Sequence, residues 1–133
     1  MIQFPYKQLE SGVIRPIIPV ELGFGPQRIQ IEALVDSGAD ICVFDAAVAE
    51  YLNIDLLKGK PTEVAGVTGV PELLFMQTVD LSVGPWQRTV SVGFLARMGQ
   101  YGYGVIGQKG FFDWCDVTFR YRKQQIELRA KRI

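Results

Sequence analysis

Residues 33–44 constrain the fold most strongly, because they place Asp36, Ser37 and Gly38 in the middle of an otherwise apolar run. An ionised carboxylate inside a hydrophobic strand is costly unless it is paired, hydrogen-bonded or used in chemistry. A small residue and a glycine after the acid permit a sharp turn, so the run predicts a strand that ends at Asp36, a tight loop and a departing strand. Asp, Ser and Gly are also ordinary turn residues, but the apolar surroundings make Asp36 the first candidate for a chemical role.

The chain contains no histidine. Ser-His-Asp and Cys-His nucleophile pairs, zinc sites with histidine ligands and imidazole proton shuttles are therefore excluded within one chain. An enzyme of this composition would use carboxylates, lysine or tyrosine for proton transfer. We expect no metal and no cofactor, since no ligand cluster is visible. Cys42 and Cys115 form no C-x-x-C pair, and we interpret both as reduced core residues.

Charge and hydropathy exclude further classes of protein. The chain has 14 basic and 14 acidic residues, and the basic ones cluster only in residues 120–132, so nucleic-acid binding is not indicated. No apolar stretch approaches the roughly 20 residues that span a bilayer. Residues 1–7 lack the charged and then hydrophobic pattern of a signal peptide. We therefore expect a cytoplasmic protein without a membrane partner.

The apolar runs are short and are separated by glycine and proline, which is typical of a β protein. At 133 residues we expect a single domain, residues 1–133. Pro16 and Pro19 predict that the first long strand is irregular or lies at an edge. Asp45 is a candidate N-cap for a short helix that ends near Leu52. The predicted strand pairs are residues 13–22 with 28–35, 63–75 as a mobile glycine-tipped hairpin, 78–83 with 89–95, and 115–121 with 125–129, and a helical turn is predicted over 108–113.

A second element supports a site at Asp36. Val105 and Ile106 are followed by Gly107, about 70 positions after the first motif, and this strand end could pass close beside the first loop. Alone, the same residues are equally well explained as a core strand that ends at a glycine.

In this order and approximate spacing, residues 34–40, the hairpin around Gly66 to Gly69, and Val105-Ile106-Gly107 resemble the retropepsin-like aspartic proteases. The resemblance spans roughly residues 13–120. It implies an all-β, retropepsin-like acid-protease barrel with one or two short helices, and an active site on the two-fold axis of a homodimer.

The presence of a single Asp-Ser-Gly sequence is a second argument for a dimer. Aspartic-protease chemistry uses two carboxylates that share one proton, yet the chain has one Asp-Ser-Gly sequence. The second carboxylate must then come from another copy, and a two-fold contact would place Asp36 beside its own mate. Two like charges so close resist simultaneous ionisation, so we expect activity to be favoured at acidic pH.

The resemblance also implies roles for individual residues. Asp36 would activate the water, the Ser37 hydroxyl would bond across the dimer axis, and Gly38 would let the backbone approach the dyad. A flap, residues 64–75, would close over an extended peptide. The implied substrate-binding residues are Ala39, Asp40, Gly66, Val67, Thr68, Gly69 and Ile106. Substrate contact and an exposed or capping role are equally good interpretations of Asp40, and core packing is the simpler interpretation of Val67 and Ile106.

Two features of the chain depart from the sequence pattern of the viral retropepsin-like proteases. An arginine often follows the third-motif glycine and pairs with the Asp of the first motif, whereas Gln108 follows Gly107 here, and a neutral amide cannot replace a charge-assisted bond. The chain also continues through residues 122–133, long enough for a terminal hairpin that would hold the dimer. The main hypothesis is a homodimeric aspartic endopeptidase. The alternative is a catalytically silent retropepsin fold that serves as a binding or assembly module.

Overall fold

The computed structural model describes residues 1–58, 60–65, 71–96, 98 and 102–131. Twelve strands and one short α-helix form most of this part of the chain. In chain order they are β1 (Ile2–Pro5), β2 (Lys7–Gln8), β3 (Ile14–Arg15), β4 (Ile17–Phe24), β5 (Gln27–Val35), β6 (Val43–Asp45), α1 (Ala46–Tyr51), β7 (Lys60–Ala65), β8 (Pro71–Val83), β9 (Trp86–Leu95), β10 (Gly104–Ile106), β11 (Cys115–Arg120) and β12 (Gln125–Ala130). Within the described residues, two 3₁₀ turns, Leu56–Lys58 and Tyr121–Lys123, complete the regular structure.

Six of the strands close into a barrel. The large sheet has the order β4-β5-β10-β6-β9-β8-β7, and β4 also pairs with β8 through Glu21 to Gly23. Closure removes the edges that an open sheet would expose, and β7 extends from the barrel as one arm of the hairpin with β8. The predicted all-β barrel is confirmed. Pro16 and Pro19 precede the part of β4 that pairs on both sides, so neither removes a donor from that double ladder.

The core follows from alternation along these strands. In β5, Ala33 and Val35 are buried while Leu34 is half-buried. Phe44, Phe94 and Phe111 are fully buried and belong to a single hydrophobic cluster with both cysteines. Cys42 and Cys115 are both buried and are not bonded to each other, which confirms their interpretation as core residues. Among the described residues, no polar or charged residue is buried.

The predicted helix is confirmed. The Asp45 side chain accepts a hydrogen bond from Ala47 N–H at 2.9 Å, the N-cap arrangement, and Ala49 faces the core. Residues 108–113 form turns rather than the predicted helical turn, except for Lys109, which makes an isolated parallel bridge with Ile41. Gly110 has φ of +104°, which lies outside the helical region, and Phe112 N–H consequently reaches back five residues to Gly107 O. No described helix is long and apolar enough to cross a membrane.

The chain ends in a separate three-stranded antiparallel sheet of order β1-β12-β11. β11 and β12 form the expected terminal hairpin, with Arg120 opposite Gln125. The sequence did not predict that β1 adds to its other side, with Ile2 opposite Leu128. Ile126 and Leu128 on the central strand are fully buried against the barrel.

Candidate active site

Asp36 lies at the end of β5, immediately after the buried Val35. Its N–H donates to Ile106 O at 3.0 Å, and its carbonyl accepts from Ala39 N–H at 3.2 Å. The carboxylate oxygen Oδ1 accepts from Gly38 N–H at 2.9 Å. The tight turn thus fixes the half-buried carboxylate through the backbone of its own loop, as the sequence predicted.

The loop after Asp36 faces outward. Ser37, Gly38 and Asp40 are exposed, and Ala39 is half-buried. A Cβ atom at Gly38 would lie 3.3 Å from Asp36 Oδ1, so a side chain at this position would crowd the carboxylate. The loop therefore combines a carboxylate that is fixed by a backbone hydrogen bond with an exposed backbone that has no side chain at Gly38.

A second segment crosses this loop. β10 lies between β5 and β6, and Val105 is opposite Leu34 on one side and Val43 on the other. Beyond β10, Gln108 N–H donates to Ala39 O at 2.8 Å and Lys109 N–H donates to Asp40 O at 3.0 Å. The two motifs that the sequence separated by about 70 residues are therefore joined by backbone hydrogen bonds.

Gly107 sits at the closest point of this crossing. A Cβ atom there would lie 2.5 Å from Ala39 O and 2.6 Å from Ile41 O. Both oxygens belong to the backbone, so neither can move aside as a flexible side chain could. Only glycine allows the two segments to approach this closely.

Gln108 occupies the position where the viral pattern has arginine, and its side chain makes a different contact. Its side-chain amide Nε2 donates to Ser37 O at 2.9 Å. The neutral amide thus stabilises the loop by donating to a backbone carbonyl, whereas the arginine of the viral pattern pairs with a carboxylate. The bond is weaker than a charge-assisted one, but it fixes the residue next to Asp36.

The sequence analysis assigned Cys42 to the core but did not identify its hydrogen bonds to the segment that crosses the Asp36 loop. Cys42 Sγ accepts from Gly107 N–H at 3.4 Å and donates to Lys109 O at 3.5 Å. Burial raises the pKa of the Cys42 thiol to about 11. The thiol therefore stays protonated and can serve as donor and acceptor at once. Strand alternation indicated an inward side chain but gave no sign of these two partners.

Ile106 is fully buried and belongs to the hydrophobic core. Its predicted contribution to a substrate pocket stays a prediction. Gly66, Val67, Thr68 and Gly69 lie outside the described residues, so the predicted tip of the flap stays a prediction as well.

The face of β10 that lies opposite to Ile106 carries an apolar row that the sequence analysis did not identify. Leu34, Val105 and Val43 are adjacent in register across three strands, and all three are half-buried. Neighbours opposite each other in a sheet share a face, so the row begins two residues before Asp36 and lies beside it. The period-two alternation around Ile106 was the signal that could have identified Val105.

No curated protein sequence is significantly similar to the chain. Among solved structures, it is similar to a retropepsin-like aspartic protease from Rickettsia conorii, with a TM-score of 0.65 and 16% identity over 95% of this chain and 89% of that one. It is also similar to EIAV protease in complex with the inhibitor HBY-793, with a TM-score of 0.54 and 20% identity over 71% of this chain and 82% of that one. These similarities define a retropepsin-like fold.

A family model described as aspartyl protease matches residues 18–109, more than half of the chain. The chain therefore belongs to the aspartyl protease family. The matched region contains both crossing segments and the hairpin of β7 and β8.

Proposed function

We propose that the protein is an aspartic endopeptidase that acts as a homodimer, with one Asp36 from each chain. The observation that carries the proposal is the anchored Asp36 carboxylate at the crossing of the two segments, with Oδ1 held by Gly38 N–H. Membership of the aspartyl protease family supports the same chemistry. The single Asp-Ser-Gly sequence makes one chain half of an active site.

The mechanism follows from two carboxylates that share one proton. The ionised Asp36 removes a proton from a water molecule, and the resulting oxygen attacks the carbonyl carbon of the substrate peptide. The protonated Asp36 of the other chain donates its proton to the carbonyl oxygen, which gives a neutral tetrahedral intermediate. The first Asp36 then gives the proton it took from water to the amide nitrogen, while the other Asp36, now ionised, takes a proton from a hydroxyl of the intermediate. The C=O bond re-forms as the C–N bond breaks, which releases an acid and an amine and restores the starting protonation of the pair.

The neighbouring residues take supporting roles in this proposal. The exposed Ser37 hydroxyl bonds across the two-fold axis, and the Gly38 carbonyl with Asp40 binds the backbone of an extended peptide. Ala39 and Val67 contribute to pocket walls, and the fully buried Ile106 supports the site from the core side. The flap, with Gly66, Thr68 and Gly69, closes over the peptide and excludes water.

The row of Leu34, Val105 and Val43 adds an apolar surface beside the carboxylate. A half-buried aliphatic surface favours apolar groups, because covering it removes apolar area from water. We therefore expect cleavage next to bulky apolar side chains.

A peptide-library cleavage assay between about pH 3 and about pH 8 tests the proposal. Wild type should cleave best on the acidic side, and a statine-type inhibitor should block cleavage. Asp36→Asn removes the ionisable group at almost constant volume and should lower kcat by at least about 1000-fold, as expected for one member of a catalytic unit. Circular dichroism should show an unchanged fold.

Asp80→Asn is the matched control. Asp80 lies on β8, where its Oδ1 accepts from Thr89 Oγ1 at 2.9 Å, and an asparagine oxygen can keep that bond. Its cleavage rate should equal that of wild type. Full activity of Asp36→Asn would refute the proposal. Absence of cleavage by a dimeric wild type at every pH would instead favour the catalytically silent binding module.

A further inference from the structure

We propose that Cys42 is a positioning residue for Asp36, whose buried thiol fixes residues 107–109 against the Asp36 loop. The inference rests on the proposed function, since it concerns the contacts that hold the proposed catalytic carboxylate in place. The thiol touches neither the substrate nor the reacting water. It acts through the backbone of the segment that crosses the loop.

Residues 106–109 run along the Asp36 loop and hold it through backbone hydrogen bonds. Ile106 O accepts from Asp36 N–H at 3.0 Å, and Gln108 N–H donates to Ala39 O at 2.8 Å. Both bonds join backbone to backbone, so no side-chain rotation can absorb a displacement. A shift of this segment would therefore move the loop that carries the carboxylate.

The Cys42 thiol holds the same segment from the core. Its Sγ accepts from Gly107 N–H at 3.4 Å and donates to Lys109 O at 3.5 Å. These two partners lie one residue before and one residue after Gln108, whose backbone and side chain both bond to the loop. One thiol thus fixes both sides of the residue that makes the most contacts with the Asp36 loop.

The position of the thiol is itself well defined. Cys42 is fully buried, and its carbonyl accepts from Gly93 N–H on β9 at 2.9 Å. A Cβ atom at Gly110 would lie 3.0 Å from Cys42 Sγ, so the next turn of the chain also packs closely against the sulfur. Because β9 fixes the backbone of Cys42, the thiol holds residues 107–109 at a set distance from the barrel.

The protonated form of the group suits this role. Burial raises the pKa of the Cys42 thiol to about 11, so it keeps its proton at neutral pH. A thiol can accept from Gly107 N–H and donate to Lys109 O at once, whereas a thiolate can only accept. Removal of the group would deprive the buried Gly107 N–H of this acceptor, and a buried donor without an acceptor is costly.

Serine and alanine variants provide the experiment, because their side chains differ by one hydroxyl group. Cys42→Ala removes both hydrogen bonds and should lower kcat for a peptide substrate at least about tenfold, because the carboxylate is less well placed. KM should stay within about threefold of wild type, since the residues that contact the peptide are unchanged. Cys42→Ser restores a donor and an acceptor and should recover kcat to within about threefold of wild type.

Cys115→Ala is the matched control, because it removes the other buried thiol of the core. Cys115 Sγ donates to Asp116 O at 3.7 Å, and neither residue belongs to the crossing. Its kcat should equal that of wild type. An equal loss of kcat in Cys115→Ala and Cys42→Ala would overturn the inference, and so would a Cys42→Ser variant as slow as Cys42→Ala.

Amide hydrogen exchange measured by NMR tests the geometry without cleavage. Gly107 N–H loses its acceptor in Cys42→Ala, whereas Gly93 N–H keeps the backbone carbonyl of residue 42. The ratio of the Gly107 exchange rate to the Gly93 rate should rise at least about tenfold in Cys42→Ala and return to within about threefold of wild type in Cys42→Ser. An unchanged ratio in Cys42→Ala would contradict the inference.

The two measurements separate failure of the inference from failure of the proposed function. If wild type cleaves no peptide, but the exchange ratio rises in Cys42→Ala and recovers in Cys42→Ser, the protease is refuted and the role of the thiol in holding the loop is supported. If wild type cleaves and Cys42→Ala has the same kcat, the protease is supported and the inference is overturned.

Discussion

Two regions of the molecule, the crossing of the two segments at Asp36 and the terminal sheet, differ in how many of their backbone hydrogen-bonding groups have partners within one chain. At the crossing, the backbone groups of Asp36, Ala39 and Gln108 have partners within the same chain. In the terminal sheet, β11 keeps an open edge among the described residues, and Phe119 remains 41% exposed. One chain therefore satisfies the backbone of the crossing by itself but leaves apolar surface and unpaired strand backbone exposed at the edge of β11.

The comparison teaches that stability and assembly are separable in this molecule. Changes at the crossing should appear in the unfolding of a single chain, since its contacts are internal. Under the proposed homodimer, changes at the exposed edge of β11 should appear instead in the concentration dependence of association.

The largest expected effect is at Gly107. Gly107→Ala forces a Cβ atom to within 2.5 Å of Ala39 O, so the crossing must open. We expect a loss of about 3 kcal/mol in the free energy of unfolding, measured by urea denaturation. Gly25→Asn is the control, because Gly25 has φ of +56° with nothing within 4 Å, and asparagine tolerates that conformation. If Gly107→Ala proved as stable as the control, the crossing would not be tightly packed.

Phe119→Thr tests the other region. Under the proposed homodimer, loss of an aromatic ring that is exposed at the open edge of β11 should raise the dimer dissociation constant by about tenfold. The free energy of unfolding measured where the chain is monomeric should change by only about 0.5 kcal/mol, as for other surface substitutions. Leu57→Thr removes a hydrophobic side chain that is 87% exposed on the turn after α1, and it should leave association unchanged. Equal effects of the two substitutions on association would remove the distinction between the regions.

Gln108→Glu is a smaller test of the crossing. A carboxylate cannot donate to Ser37 O, so the 2.9 Å bond is lost at nearly constant volume. We expect about 1 kcal/mol of destabilisation in urea, together with reduced cleavage, because the residue next to Asp36 is less well fixed. Gln87→Glu on β9 is the matched control, since its Oε1 acts as an acceptor from Ser82 Oγ and a carboxylate can do the same. Wild-type stability of Gln108→Glu would show that the side chain contributes nothing.

The last expected effect is confined to alkaline pH. Burial raises the pKa of both Cys42 and Cys115 from 9.0 to about 11. Between these values the unfolded chain loses thiol protons that the folded chain keeps, so stability falls as pH rises through that window. Urea midpoints from about pH 8 to about pH 11 should decline less steeply in the Cys42→Ala, Cys115→Ala double variant than in wild type. Identical slopes would mean that the thiols ionise equally in both states.

Local patterns predicted much of this molecule. The Asp45 cap fixed the start of α1, and turn residues between apolar runs located the hairpins. The Asp36 loop and Gly107 were identified because an acid in an apolar run and a glycine after a strand both require special surroundings. Each of these signals depends on residues close together in the chain.

The side of β10 that lines the site was harder to infer. Ile106 was selected from its motif, whereas the half-buried surface beside Asp36 is formed by Leu34, Val105 and Val43. The face of a short strand depends on its pairing register, and β10 pairs with strands about 60 to 70 residues earlier. A one-residue difference in register exchanges the two faces, so the motif alone could not decide between them.

The sequence by itself determined the acid, its turn, the helix cap and the β architecture, because these follow from residue chemistry and short-range alternation. Only the tertiary structure decided the closure of the barrel through β4 and β8, the buried contacts of Cys42 and the addition of β1 to the terminal hairpin. These features join residues far apart in the chain, and their energies come from packing and pairing that exist only when the whole fold has formed.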